Sequence, residues 1–155
     1  MKKYILIVVT LFLTSFAYSQ SDKEEIDLMQ AAFGMDKKAV VAEFVKPSPA
    51  EKDAFWKLYD EYELKRKELG KQRIELLKQY ADKYLTMTGV EAEAWTKQVM
   101  QLQKKTDKLT ADYYSKVLKA TDGVVATQFY QIENYILMAI RANVLSQIPF
   151  LPNKN

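Results

Sequence analysis

The sequence predicts an all-α fold, and three observations predict it. Only 4 Gly and 4 Pro occur in 155 residues, too few turn formers for the many short connections of an all-β chain. Between Pro49 and Pro149 there is no proline, so nothing in that stretch forbids a continuous helix. Within it, apolar side chains recur at steps of three and four residues, the spacing of one helix face. The predicted architecture is a long antiparallel hairpin over residues 48–84 and 89–120. It packs with an N-terminal helix and an apolar C-terminal helix over 123–148.

Taken in order, the first element is an export signal. Lys2 and Lys3 give a positive start, residues 4–13 are apolar and uncharged, and Ala17-Tyr18-Ser19 offers small side chains at a cleavage site. Cleavage after Ser19 leaves Gln20 as the first mature residue. The competing reading is a retained anchor, but the apolar run is well short of the ~20 residues a spanning helix needs. No cysteine follows the run, which excludes lipoprotein attachment there. Residues 1–19 are thus expected to be a signal peptide, and 20–155 one helical-bundle domain with frayed ends. The expected location is the periplasm or the exterior, with no stable membrane insertion after cleavage.

The first helix is predicted over residues 26–45. Gly34 allows a break, Asp36 can cap a fresh start there, and Val40/Phe44 and Val41/Val45 pair on one face. Ser48-Pro49-Ala50-Glu51 then reads as a capping box, with Ser48 the cap and Pro49 the first helical residue. The second helix carries an apolar stripe of Phe55, Leu58/Tyr59, Tyr62, Leu69, Leu76/Leu77, Tyr80 and Tyr84, roughly 55 Å in all. Thr88-Gly89-Val90-Glu91 is a second capping box, opening a helix with Trp95, Val99, Leu102, Leu109, Tyr113 and Val117 inside. Two long helices joined this tightly must fold back on each other. After Asp122-Gly123, the last helix presents Val125, Phe129, Ile132, Ile136, Ile140 and Val144. Tyr130, Tyr135, Leu137 and Met138 widen that stripe, which predicts cover on more than one side. Pro149 stops it.

Charge and composition exclude several functions. The chain carries 23 Lys+Arg against 20 Asp+Glu, and losing residues 1–19 removes Lys2 and Lys3 and no acid. A mature charge near neutral gives no field to attract nucleic acid or an anionic membrane. His and Cys are both 0. That removes the commonest general base, the usual transition-metal ligands and the strongest nucleophile. No phosphate loop, dinucleotide fingerprint or nucleophile elbow is present. No cofactor, metal or catalytic residue is therefore predicted, and the protein is not expected to be an enzyme. Catalysis would need a pocket holding paired carboxylates of separated pKa.

Acid-first pairs at i, i+4 mark the solvated faces: Glu61–Lys65, Glu63–Lys67, Glu93–Lys97 and Asp112–Lys116, each worth about 0.2–0.5 kcal/mol. Three arrangements stand out from that background. Lys65, Arg66, Lys67 and Lys71 form a basic cluster that, with Trp56 and Tyr114 beside the stripes, is the candidate partner-binding surface. A plain solvated face is the other reading of these lysines. Arg66 and Arg73 continue the Phe55–Tyr59–Tyr62 stripe, and Glu133 sits in the apolar last helix. A buried ion pair between Glu133 and Arg66 or Arg73 is the expectation, against a Glu133 that simply faces water.

The strings DKKAVVAEFV, AEKDAFWKLYDEY, QYADKY and FYQIEN…SQIPF resemble a family of exported bacterial helical proteins that carries no established activity. More loosely, the exported, cysteine-free long hairpin resembles the Spy/CpxP-like periplasmic proteins and their heavy-metal-sensing relatives. Ser48-Pro49-Ala50-Glu51 stands where those proteins have a Leu-Thr-x-x-Gln cap, and Leu109-Thr110 is a fragment of that motif without the glutamine. The resemblance implies a chaperone or envelope-stress modulator that binds unfolded or partner protein segments. The alternative is a structural or signalling protein that binds one partner or forms a homodimer through its last helix.

Overall fold

The computed structural model describes residues 36–153, and among them the chain forms four helices and no strand. They are α1 (Lys37–Phe44), α2 (Lys52–Lys83), α3 (Gly89–Ala120) and α4 (Gly123–Gln147). The predicted signal peptide, and residues 26–35 of the predicted first helix, lie outside the described residues.

Each helix start has a local chemical cause. Asp36 caps α1 by accepting from the Lys38 amide at 2.8 Å, and Asp122 caps α4 by accepting from Val124 and Val125 amides, both at 2.8 Å. The Thr88 capping box is complete: its hydroxyl accepts from the Glu91 amide, and Glu91 reaches back to the Thr88 amide at 2.9 Å. The Ser48 box forms only in half. Glu51 accepts from the Ser48 amide at 3.0 Å and from the Ser48 hydroxyl at 2.5 Å. The amides of Glu51 and Lys52 both turn to the Ser48 carbonyl, so a tight turn precedes α2, which begins at Lys52 and not at Pro49.

α2 and α3 are 32 residues each, about 48 Å long, and fold back on each other as a hairpin. α3 packs against α4 as well, and α1 packs against α4. This makes a four-cornered bundle in which α1 holds the corner opposite α3. Its core is aromatic: Phe129 stands edge-on to Tyr62 at 5.3 Å and to Phe55 at 6.4 Å, and Tyr62 meets Tyr113 at 5.5 Å. Edge-on contacts of this kind add about 0.5–1.5 kcal/mol beyond burial. Thr106 and Thr110 also face inward, because each hydroxyl donates to a carbonyl one turn earlier, at 3.0 and 3.2 Å. Val40 and Val41 in α1 and Val45 just after it are buried but Phe44 is exposed, so the expected Val40/Phe44 face does not form.

One corner is short. α1 has 8 residues against 25 in α4, so the described residues fill the fourth corner only beside the first part of α4. There Val125, Ala126, Phe129, Ile132 and Ile136 are buried. Farther along, Ile140 and Val144 are only half-buried, and Tyr135, Met138 and Leu145 are exposed. The expected cover of α4 on more than one side holds for its first half alone.

Candidate functional site

Two neighbouring features carry the unusual chemistry. The first is a buried ionic cluster at the start of α1. Lys37 Nζ lies 2.7 Å from Glu133 Oε2 and also donates to Glu63 Oε1. Arg66 holds the same Glu63, Nε to Oε1 at 2.7 Å and Nη2 to Oε2 at 3.2 Å. Glu133 is fully buried, and Lys37 and Arg66 are nearly so. The Lys37 ammonium lies 5.2 Å from the Tyr62 ring centre and 5.7 Å from that of Tyr59, where the ring faces add to its stabilisation. The Tyr59 and Tyr113 hydroxyls and Glu133 Oε1 are buried without a protein hydrogen bond.

The two carboxylates are pushed apart. Burial drives Glu133 above the ordinary carboxylate range, and the negative Glu63 adds to the rise despite Lys37. Burial also works against Glu63, but Lys37 and Arg66 together hold it below its ordinary value. Burial drives the Tyr59 and Tyr62 hydroxyls upward, with Glu63 and Glu133 contributing. Separated carboxylates can divide acid and base roles, but these two are bridged by one ammonium, and neither lines the neighbouring cavity.

The second feature is that cavity, an apolar groove of about 580 Å³ between α2, α3 and the second half of α4. Its walls are Leu69, Ile74 and Leu77 from α2, Trp95, Val99 and Leu102 from α3, and Leu137, Ile140 and Val144 from α4. Arg66, Arg73 and Arg141 are set into this lining. Trp95 is fixed by its indole N–H, which donates to the Leu76 carbonyl at 2.8 Å. The far end is closed by residues 148–151, held where the Tyr80 hydroxyl donates to the Pro149 carbonyl at 2.8 Å.

The arginines are not equally satisfied. Arg73 donates to Gln103 at 3.0 Å. Burial and the facing Arg141 lower its pKa, against the pull of Asp107. Among the described residues Arg141 has no carboxylate partner. The groove thus combines apolar walls with two guanidiniums that repel each other, a setting that favours an anionic group on whatever lies there. No cluster of metal-ligating side chains occurs among the described residues.

The sequence-predicted residues do not gather into one surface. Trp56 is half-buried, edge-on to Phe55 at 4.9 Å and covered by Lys38 Nζ at 5.3 Å. Tyr114 is half-buried against Tyr130 at 5.9 Å. Lys65 is exposed and lies over the Tyr113 ring at 5.4 Å. It stands nine residues, or two and a half turns, from Trp56, so the two face opposite ways. Lys67 is exposed, Lys71 half-buried, and Arg66 is turned inward. The ion pair expected between Glu133 and Arg66 or Arg73 is centred on Lys37 instead; Arg66 joins through Glu63, and Arg73 points to Gln103. Of the expected surface pairs, Glu93–Lys97 forms at 2.5 Å. Asp112 pairs backward with Lys108 at 2.8 Å, because Lys116 lies over Tyr113 at 4.2 Å. Glu63 leaves Lys67 for the interior.

Lys37 and Glu63 were missed because both look like solvated helix residues. The available signal was Lys37 three residues before Val40, on the apolar side of α1. No protein-family model matches the chain, and neither a curated protein nor a solved structure matches it.

Proposed function

We propose that this protein is a non-catalytic interaction module acting outside the cytoplasm, a chaperone-like or envelope-stress-modulating protein. It holds an apolar, acid-bearing stretch of a partner or unfolded protein in the groove between α2, α3 and α4. The observation that carries the reading is the pairing of Arg73 and Arg141 inside an apolar groove of about 580 Å³. Apolar walls supply affinity, and a desolvated guanidinium supplies selectivity for a carboxylate. The non-catalytic part is supported by the position of Glu63 and Glu133, which spend their charges on Lys37 and Arg66 and do not open to the groove.

The test is mature protein starting at Gln20, added to a chemically unfolded, aggregation-prone client while light scattering is followed without ATP. Suppression near equal stoichiometry is expected. Arg73→Glu with Arg141→Glu should weaken it at least several-fold, whereas Lys67→Glu should leave it unchanged. No suppression at large excess discards the chaperone reading.

A second reading has its own observation. Tyr135, Met138 and Leu145 are exposed at steps of three and seven residues on α4, an apolar stripe suited to self-association or one dedicated partner. A sedimentation shift with concentration that Met138→Glu abolishes would favour it.

A further inference from the structure

We propose that the groove between α2, α3 and α4 takes a free medium-chain fatty-acid anion, its carboxylate at Arg73 and Arg141 and its tail running toward Trp95 and Tyr80. The inference rests on the reading of that groove as a binding site and names the smallest ligand its chemistry selects.

The lining has two unlike halves. Arg66, Arg73 and Arg141 all lie in the half nearer α1, and no acid stands among the described lining residues. Beyond them, from Ile74 on α2 and Val144 on α4 to Leu151, every described lining residue is uncharged. That half ends where the Tyr80 hydroxyl holds the Pro149 carbonyl at 2.8 Å. A cationic half leading to a closed apolar one matches a molecule with an anionic head and a tail that stops. Arg66 already spends Nε and Nη2 on Glu63, whereas Arg73 donates to the neutral amide oxygen of Gln103 at 3.0 Å. The head therefore belongs at Arg73 and Arg141, where a carboxylate relieves the repulsion between two guanidiniums.

The walls constrain the tail as well. They are helices, whose backbone N–H and C=O groups are spent on one another. An extended peptide laid along them leaves its own amides without partners. A protein segment must bring those groups already paired, as a helix does, and an acyl chain has none to satisfy. Length agrees. Arg73 to Tyr80 along α2, and Arg141 to Ile148 along α4, each span about 10.5 Å. An alkyl chain advances about 1.25 Å per carbon, from C–C bonds of about 1.5 Å near the tetrahedral angle, so about eight to ten carbons fill that length. The volume of about 580 Å³ also falls within the usual span of small-molecule sites, about 300–1,000 Å³.

The test is calorimetric titration of the mature chain with decanoate below its micelle concentration, where one saturable site is expected. Decanol and decyltrimethylammonium, with the same tail, should bind at least tenfold more weakly. Each two carbons from hexanoate to decanoate should tighten binding at least threefold, with little gain beyond. Arg73→Gln and Arg141→Gln should each weaken decanoate at least fivefold, and Lys67→Gln should not. The ligand series needs no variant, so it decides the matter even if an arginine variant fails to fold. No saturable binding, equal binding of acid and alcohol, or a site indifferent to both arginines overturns the proposal. Suppression of client aggregation is followed in parallel. If it needs both arginines while decanoate fails to bind, the groove holds protein segments and only the fatty-acid ligand is lost. If decanoate binds through both arginines while suppression is absent, the fatty-acid site stands and the protein-segment reading falls.

Discussion

Among the described residues, the end of the bundle built around Phe55 and Phe129 is enclosed by four helices, whereas the end built around Leu77 and Val144 is enclosed by three. The same α2, α3 and α4 run through both. At the closed end the fourth corner is α1, and its Lys37 brings a cation to Glu133, which would otherwise be buried without one, and to Glu63, which Arg66 also holds. At the other end Arg73 and Arg141 are set into half-covered apolar walls, and burial and Arg141 lower the Arg73 pKa. Among the described residues, charge is thus neutralised beside α1 and two guanidiniums stand close together beyond it. The comparison teaches that the arginines and the half-covered apolar walls are one feature, the part of the bundle that α1 does not reach.

The largest expected effect lies at the closed end. Lys37→Met strands Glu133 in the core and should cost about 3–5 kcal/mol of stability. Its pH dependence follows from the sign of the shift. Glu133 is raised above its ordinary value of 4.5, so its contribution is present at low pH and lost as pH rises through the folded value. Removing Lys37 raises that value further, so the deficit in Tm should grow from acid to neutral pH. Glu133→Gln avoids the buried charge and should cost less. A Lys37→Met protein that melts unchanged at neutral pH would break the contrast between the two ends.

Packing gives the next largest difference. Phe129→Ala empties a fully buried aromatic site and should cost about 3–5 kcal/mol. Ile140→Ala, in the half-buried groove wall, loses about half of a full transfer term, roughly 1 kcal/mol. Equal losses in denaturant melts would mean that the groove is as well packed as the core.

The smallest effect lies at the hairpin tip, which belongs to neither environment. The Thr88 amide and hydroxyl and Lys83 hold the Glu91 carboxyl down to about 2. A lowered acid contributes above its ordinary pKa and loses that contribution as pH falls from 4.5 to about 2. Thr88→Ala should lower Tm by a few degrees at neutral pH, with the gap to wild type narrowing in acid.

Much of this was legible locally. Asp36, Thr88 and Glu91 act as caps because capping needs only atoms within three residues. The hairpin follows from two proline-free stripes and a five-residue connection. Glu133 could be read as a buried, paired charge from its apolar neighbours, but its partner could not. Lys37 and Glu63 are 26 residues apart and Lys37 and Glu133 are 96 apart; Lys37 and Glu63 both sit among residues that look solvated. Likewise Trp56 and Lys65 seemed neighbours in sequence, yet the helix turns them to opposite sides.

The sequence by itself determined the helix starts at Asp36, Thr88 and Asp122 and most of the inward stripes, because caps and 3.6-residue periodicity are short-range properties. Only the tertiary structure decided which corner each helix takes, which cation meets Glu133, and that Arg73 and Arg141 face each other across an apolar groove. Those are contacts between segments far apart in the chain, set by how four helices of unequal length share one core.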